Sequence, residues 1–517
     1  MMNGICVSQG GMCLSRILSC LGIMLAVVGL AVPTSGQAAV VAYKGIAYAE
    51  PPVGDARWRA PKDRELTAEA LRDARDFGAA CPGSNSPFER SPKTTSEDCL
   101  SLNVWTPDQQ GNAPVMVWIH GGAFRWGNGN VPGELLAREG VVVVSLNYRL
   151  GPLGFFEHPE LADDAGNFAL LDMVSALRWV QRHIAEFGGD PAQVTIFGVS
   201  AGGMAVNMLS VSPLAQGLFS RAIAQSGYAT WPLLHRESLN SLPELQWDGA
   251  PVASATSASD ALLDRLAVQD RDLDRLRQLD AESLVSAVQG FQLPIVDGVS
   301  LNNEPAVCFA DLNCSLNIEA YMTGANSAEG EIMPATGITV PMLKAQFSGW
   351  DERIRSVYDS DAAKDPDLAW QRYFGDLRYL TSALITAQGT HARKLPTYTY
   401  WVDVMLPVGL SGAPPKLVGM PHGADSALFW GQLDPIPGMQ EFGAQLRRAW
   451  SDFAKGATVL AGDWQPWTTP AGYWQSVMDA QGNVQAALAP RLTVVAEAYA
   501  RRYPTLLQAN ANLNANE

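Results

Sequence analysis

The runs VMVWIH (115–120) and VVVVSLN (141–147) are almost continuously apolar and rich in valine. A strand covered by helices on both faces reads this way, because neither face meets water. Apolar residues then recur at Leu171, Val174, Leu177, Val180, Ile184 and Phe187, which places one buried face on a helix over 168–187. VTIF (194–197) predicts another buried strand, and AGGMAVNML (201–209) the helix after it. RAIAQ (221–225), IEAYMTG (318–324) and TYTYWV (397–402) are further strands. Helical stretches rich in Asp, Leu and Arg occupy 258–290 and 365–394, and a last helix over 440–455 ends at Lys455-Gly456, where glycine can cap. Strands alternating with helices predict an α/β fold, a mostly parallel central sheet flanked by crossover helices. Residues 235–257 carry neither period and are expected to be an insertion loop.

One apolar run breaks the pattern. Positions 17–32 (ILSCLGIMLAVVGLAV) follow Arg16 and lead into PTSGQAAV. A basic start, an apolar middle and a small-residue exit predict an export signal over 1–38, with the protein destined for the periplasm or secretion. The other reading is an uncleaved anchor, for which the run is short against the roughly 20 residues of a membrane span. The expected mature chain, 39–517, is one large catalytic domain with insertions and no membrane insertion of its own. Signal removal also takes away Cys6, Cys13 and Cys20, leaving Cys81, Cys99, Cys308 and Cys314. Four exported cysteines allow three pairings. The pairs Cys81–Cys99 and Cys308–Cys314 close the shortest loops; buried free thiols are the alternative.

The chain has 517 residues, 47% hydrophobic and 17% charged, which excludes a disordered chain. Its 52 acidic against 36 basic residues give a net charge of −16. A nucleic-acid partner draws its affinity from a basic surface, so this balance argues against one. The chemistry begins at Gly198-Val199-Ser200-Ala201-Gly202, a G-x-S-x-G pattern between a buried strand and a helix start. That context suits a serine nucleophile on a tight strand-to-helix turn. Serine needs a base. Of six histidines (120, 158, 183, 235, 391 and 422), His422 sits in a Pro/Gly loop after the 397–402 strand, downstream of the serine, and fits best. A carboxylate must orient that base. Glu329, after the 318–324 strand, is one candidate; Asp297, Asp311 and Glu331 are others.

YKGIAYAEPPVGDARWRAP (43–61), SEDCLSLNVWTP (96–107), VMVWIHGGAF (115–124), SLNYRLGPLGFF (145–156) and residues 166–203 together resemble the type-B carboxylesterase/lipase family, cholinesterase-like members of the α/β-hydrolase superfamily. The resemblance runs from about Tyr43 to about Trp467. It implies the α/β-hydrolase fold and ester hydrolysis through an acyl-enzyme, with no cofactor or metal. It selects Glu329 within Gly324-Ala-Asn326-Ser-Ala-Glu329-Gly330, beside Ser200 and His422. It implies an oxyanion hole from the N–H groups of Gly122, Ala123 and Ala201, and supports both disulfide pairings. It reads Arg57 with Glu97, and Arg149 with Asp172, as structural ion pairs. Trp231 is expected to border an acyl pocket and Trp126 to line the entrance, with core packing as the alternative for both.

Two departures qualify the resemblance. The residue before the serine is Val199 where the family usually has glutamate, and the Cys81–Cys99 loop has no tryptophan to hold a quaternary ammonium by cation–π contact. The expected substrates are therefore small to medium uncharged esters. A lipase would need an apolar lid, and that loop offers only Phe88 as a large apolar side chain. A binding module without catalysis is the remaining alternative, and it would not need all three triad positions.

Overall fold

A computed structural model describes residues 39–67, 69–70, 74–84, 94–107, 111–161, 165–236, 254–289, 294–406, 416–468, 474–476 and 484–502. The expected signal (1–38), the middle of the insertion and Phe88 lie outside them. The described strands are β1 (Val40–Ala47), β2 (Ser101–Pro107), β3 (Ala113–Ile119), β4 (Val142–Leu146), β5 (Gly189–Val199), β6 (Arg221–Gln225), β7 (Leu234–His235), β8 (Ile295–Val296), β9 (Ala320–Asn326), β10 (Thr397–Val402) and β11 (Trp474–Ser476). Nine form one sheet in the order β1-β2-β4-β3-β5-β6-β9-β10-β11, and β7 with β8 form a small second one. β1, β2 and β4 pair antiparallel in sequence, and every pair from β4 to β11 is parallel.

The valine runs are β3 and β4, buried along nearly their whole length as their composition requires. The 168–187 helix ends earlier than its period suggests: the α-helix is Phe168–His183, and a 3-10 turn carries Ile184–Phe187 to Gly188, whose φ of 77° stops it. The 258–290 stretch is three short helices, each begun by a side-chain cap from Ser254, Asp272 or Asp280. The 365–394 stretch is one long helix interrupted by a π turn, Asp376–Leu380. No described helix is long and apolar enough to cross a membrane.

The sheet carries the site because of strand order. β3, β5, β6, β9 and β10 are consecutive neighbours and parallel, so their carboxyl ends lie side by side on one edge. Ligands in open α/β sheets bind at that edge. The interrupted helix closes the far side. A Cβ at Gly330 would lie 2.0 Å from Gln371 O, and one at Gly375 would lie 2.4 Å from Gly330 N, so the helix backbone touches the turn after β9 directly.

Candidate active site

β5 ends at Val199, and the helix Ala201–Val211 begins immediately after Ser200. Ser200 has φ 57° and ψ −118°, a conformation that costs an L-residue roughly 1–3 kcal/mol. The turn is too tight for side chains beside it. A Cβ at Gly202 would stand 2.1 Å from Ile119 O, and one at Gly198 would stand 2.5 Å from the same atom. The two glycines of the motif are thus a packing requirement, and they leave Ser200 half-buried at a helix N-terminus.

His422 follows β10 in the chain. Its Nε2 lies 2.8 Å from Ser200 Oγ and its Nδ1 lies 2.5 Å from Glu329 Oε2. Glu329 opens the 3-10 turn Glu329–Ile332 after β9 and is 1% exposed. Its other oxygen, Oε1, accepts from the Ser226 hydroxyl at 2.6 Å and the Asn326 N–H at 2.7 Å. With the carboxylate held on both sides, Nδ1–H donates to Glu329 and Nε2 faces the serine as an acceptor. Behind this line Asp425 is fully buried and accepts from Asn326 Nδ2, Gln225 Nε2 and the Tyr400 hydroxyl. Burial first, and the Glu329 charge second, raise its pKa.

Thus Ser200, Glu329 and His422 come together from positions up to 222 residues apart in the chain. The competitors do not. Asp297 is taken up by Asn167, Ser300 and the N–H groups of 299–301. Glu331 accepts from Leu417 N, and Asp311 from Asn313. His158, His183, His235 and His391 contact Arg271 O, Glu186, Glu304 and the Trp467 ring respectively. Ser226 and Asn326 are the residues that sequence reasoning missed as partners of the acid. The signal for Ser226 is its place directly after the strand beside β5, which becomes visible only when strand order is known.

The loop after β3 has three consecutive residues of positive φ: Gly122 at 111°, Ala123 at 53° and Phe124 at 57°. Glycine is required at 122, where a Cβ would meet Trp126 O at 2.1 Å. Among the described residues, no protein acceptor takes the N–H of Gly122, Ala123 or Ala201. His120 anchors the loop from below. It stacks on Tyr148 at 4.2 Å, and its Nδ1 lies 2.8 Å from Gly121 O. Burial lowers its pKa to about 4, so the ring is neutral and donates there.

Val199 is buried in the apolar cluster that also holds Trp118, Phe197 and Trp430, an apolar plug rather than a charge. Trp231 is 6% exposed and belongs to the core, while Trp126 is half-buried beside Arg125. Both disulfides, Cys81–Cys99 and Cys308–Cys314, are formed, as are the Arg57–Glu97 and Arg149–Asp172 ion pairs.

A family model described as the carboxylesterase family matches residues 26–490. The chain belongs to the carboxylesterase family. Among curated relatives, fumonisin B1 esterase of Sphingopyxis macrogoltabida is 34% identical over 447 residues, 82% of this chain and 78% of that one. Para-nitrobenzyl esterase of Bacillus subtilis (strain 168) is 41% identical over 292 residues, 52% of this chain and 55% of its own. A solved PNB esterase structure superposes with a TM-score of 0.69 at 29% identity, covering 88% of this chain and 96% of the other. This carboxylesterase therefore has the α/β-hydrolase fold and hydrolyses esters.

Proposed function

We propose that this carboxylesterase works through a Ser200–His422–Glu329 triad and a covalent acyl-enzyme. The observation that carries the reading is the unbroken line of hydrogen bonds from Glu329 Oε2 through both imidazole nitrogens to Ser200 Oγ. Ser200 Oγ attacks the ester carbonyl carbon as His422 Nε2 takes its proton. Negative charge develops on the carbonyl oxygen, which the N–H groups of Gly122, Ala123 and Ala201 receive; one such donor is worth about 2.7–4 kcal/mol. Glu329 holds the imidazolium that forms. The C–O bond to the alcohol breaks, and His422 returns the proton to the departing oxygen. Water then repeats the cycle on the acyl-enzyme, His422 serving again as base, and the acid is released.

The alcohol side takes small to medium uncharged groups rather than a quaternary ammonium. Residues 1–38 are the export signal and 39–517 the single catalytic domain, delivered to the periplasm or beyond. Two disulfides in one chain support an oxidising destination. Incubation with an organophosphate followed by peptide mass spectrometry is expected to find one adduct, on Ser200, together with loss of esterase activity. An adduct elsewhere, or full activity in Ser200→Ala, would overturn the assignment.

A further inference from the structure

Glu329 and His422 are carried on two short stretches of backbone, the end of β9 with the turn after it (326–329) and the residues ahead of the base (418–421). Three neutral bonds zip the two together. Asn326 Nδ2 donates to Pro421 O at 3.0 Å, the Met420 N–H donates to Ser327 Oγ at 2.9 Å, and the Ala328 N–H donates to Met420 O at 2.8 Å. The fit is close: a Cβ at Gly419, whose φ is 131°, would stand 2.2 Å from Ser327 Oγ. One further carbonyl on each side of this seam, Ser327 O and Val418 O, turns to a third element.

The same side chain meets both. Arg372, on the helix Pro366–Gly375, donates from Nη1 to Ser327 O at 2.5 Å and from Nη2 to Val418 O at 2.9 Å. Asp361 holds the guanidinium by accepting from Nε and Nη2. Arg372 is 8% exposed and Asp361 1%. A second guanidinium, Arg491, reaches Ser327 O at 3.2 Å and is itself held by Asp376 through two bonds of 2.6 Å. The helix of Arg372 meets the triad region at two more points. Gln371 Nε2 donates to Gly330 O at 3.1 Å, and on the π turn that follows, Tyr379 lays its ring 4.5 Å from the His422 ring.

Burying an ion pair is a costly way to satisfy two carbonyls that any neutral donor could serve. What a guanidinium adds is geometry. Its donors lie in one plane at fixed spacing, so a carboxylate can grip one part of the fork while the rest sets how far apart two acceptors stand. An ammonium carries its three donors on a single nitrogen and imposes no such spacing.

We propose that Arg372 is a positioning residue for ester hydrolysis: by clamping Ser327 O and Val418 O in one plane it sets the spacing of Glu329 and His422. This rests on the triad reading above and acts through the 2.5 Å bond between His422 Nδ1 and Glu329 Oε2. A misplacement of about 1 Å that arises away from the reacting atoms can lower a rate roughly 100-fold.

The test pairs Arg372→Lys with Arg393→Lys. Arg393 also donates to backbone carbonyls, those of Cys308, Phe309, Asp311 and Cys314 around the second disulfide, so it serves as a structural control. Arg372→Lys should lower kcat per titrated active site by about 10- to 100-fold with KM within about twofold of wild type. It should also move or broaden the far-downfield proton NMR signal of the His422 Nδ1–H bond to Glu329. Arg393→Lys should leave kcat and that signal as in wild type, even where its melting temperature falls. If Arg372→Lys folds poorly, the double variant Arg372→Gln with Asp361→Asn, which strands no buried charge, carries the same expectation. An unchanged kcat or an unchanged signal in the folded Arg372 variant, or equal losses in Arg393→Lys, overturns the positioning role. A downfield signal that persists in His422→Gln overturns the triad reading instead.

Discussion

Asp172 and Glu329 are both carboxylates with almost no exposure, and each faces a nitrogen-bearing side chain. Arg149 grips Asp172 through Nε and Nη2 at 2.8 and 2.7 Å, and its own backbone N–H adds a third bond to the same carboxylate. Every one of these contacts points inward, and the pair closes on itself. Glu329 is held as firmly, by Ser226 and Asn326, but its second oxygen passes to an imidazole whose far nitrogen points at Ser200. A buried carboxylate becomes useful chemistry when its partner is left directed at something that reacts. The closed pair points at nothing that could react; the open one is, on the proposed mechanism, the one that moves a proton.

The sharpest way to break this contrast is to neutralise each carboxylate. Glu329→Gln is expected to lower kcat by about four orders of magnitude while leaving the melting temperature nearly unchanged, because the fold does not depend on that charge. Asp172→Asn should do the reverse. It strands the Arg149 charge in the interior and costs about 3–5 kcal/mol of stability, with kcat per folded molecule within roughly tenfold of wild type. Denaturant melts and active-site-titrated kcat values distinguish the two; matching losses in both quantities for either variant would erase the distinction. Ser226→Ala removes one of the two bonds that hold Glu329 Oε1. A bond to a charged group is worth about 1.5–3 kcal/mol, so kcat should fall by about 10- to 100-fold with KM little changed.

Smaller effects sharpen the picture around the pair. Val199→Glu restores a carboxylate near the imidazolium formed during acylation. The acid limb of kcat/KM against pH should then move upward, by on the order of one unit; an unmoved limb would show that the apolar plug has no electrostatic consequence. His120 acts on stability. Burial depresses it to about 4 in the folded chain, from an ordinary value of 6.5. The unfolded chain therefore takes up this proton first as pH falls. His120 contributes fully above pH about 6.5, and its contribution is lost as pH drops through about 4. His120→Phe should flatten that part of the stability–pH curve, whatever it does to the absolute stability.

Much of this was readable along the chain, for identifiable reasons. β3 and β4 are almost wholly apolar and β10 is all β-branched and aromatic, so their composition betrays them, and the strained turn at Ser200 needs Gly198 and Gly202. β1 and β2 stood out only as stretches of family resemblance, because VVAYKGIA and SLNVWTP mix polar and apolar residues without a clean period. β11 is three residues at a sheet edge, too short to show any period. The π turn at 376–380 is hidden inside a sequence that reads as continuous helix, so Arg378 and Tyr379 passed as ordinary helical positions. Ser226 supports the acid because β6 lies next to β9, which is a property of sheet order rather than of local sequence.

Ser200 and His422 are 222 residues apart in the chain and a hydrogen bond apart in space. At a synthesis rate of about 5–20 residues per second, roughly 10–45 s pass between the making of the proposed nucleophile and the making of its proposed base. Throughout that interval the growing polypeptide holds a serine already framed by its glycines and has nothing with which to activate it. On that reading the order of synthesis is a timer as well: the esters of the compartment where the chain is made are out of its reach until the last fifth of its length begins to appear.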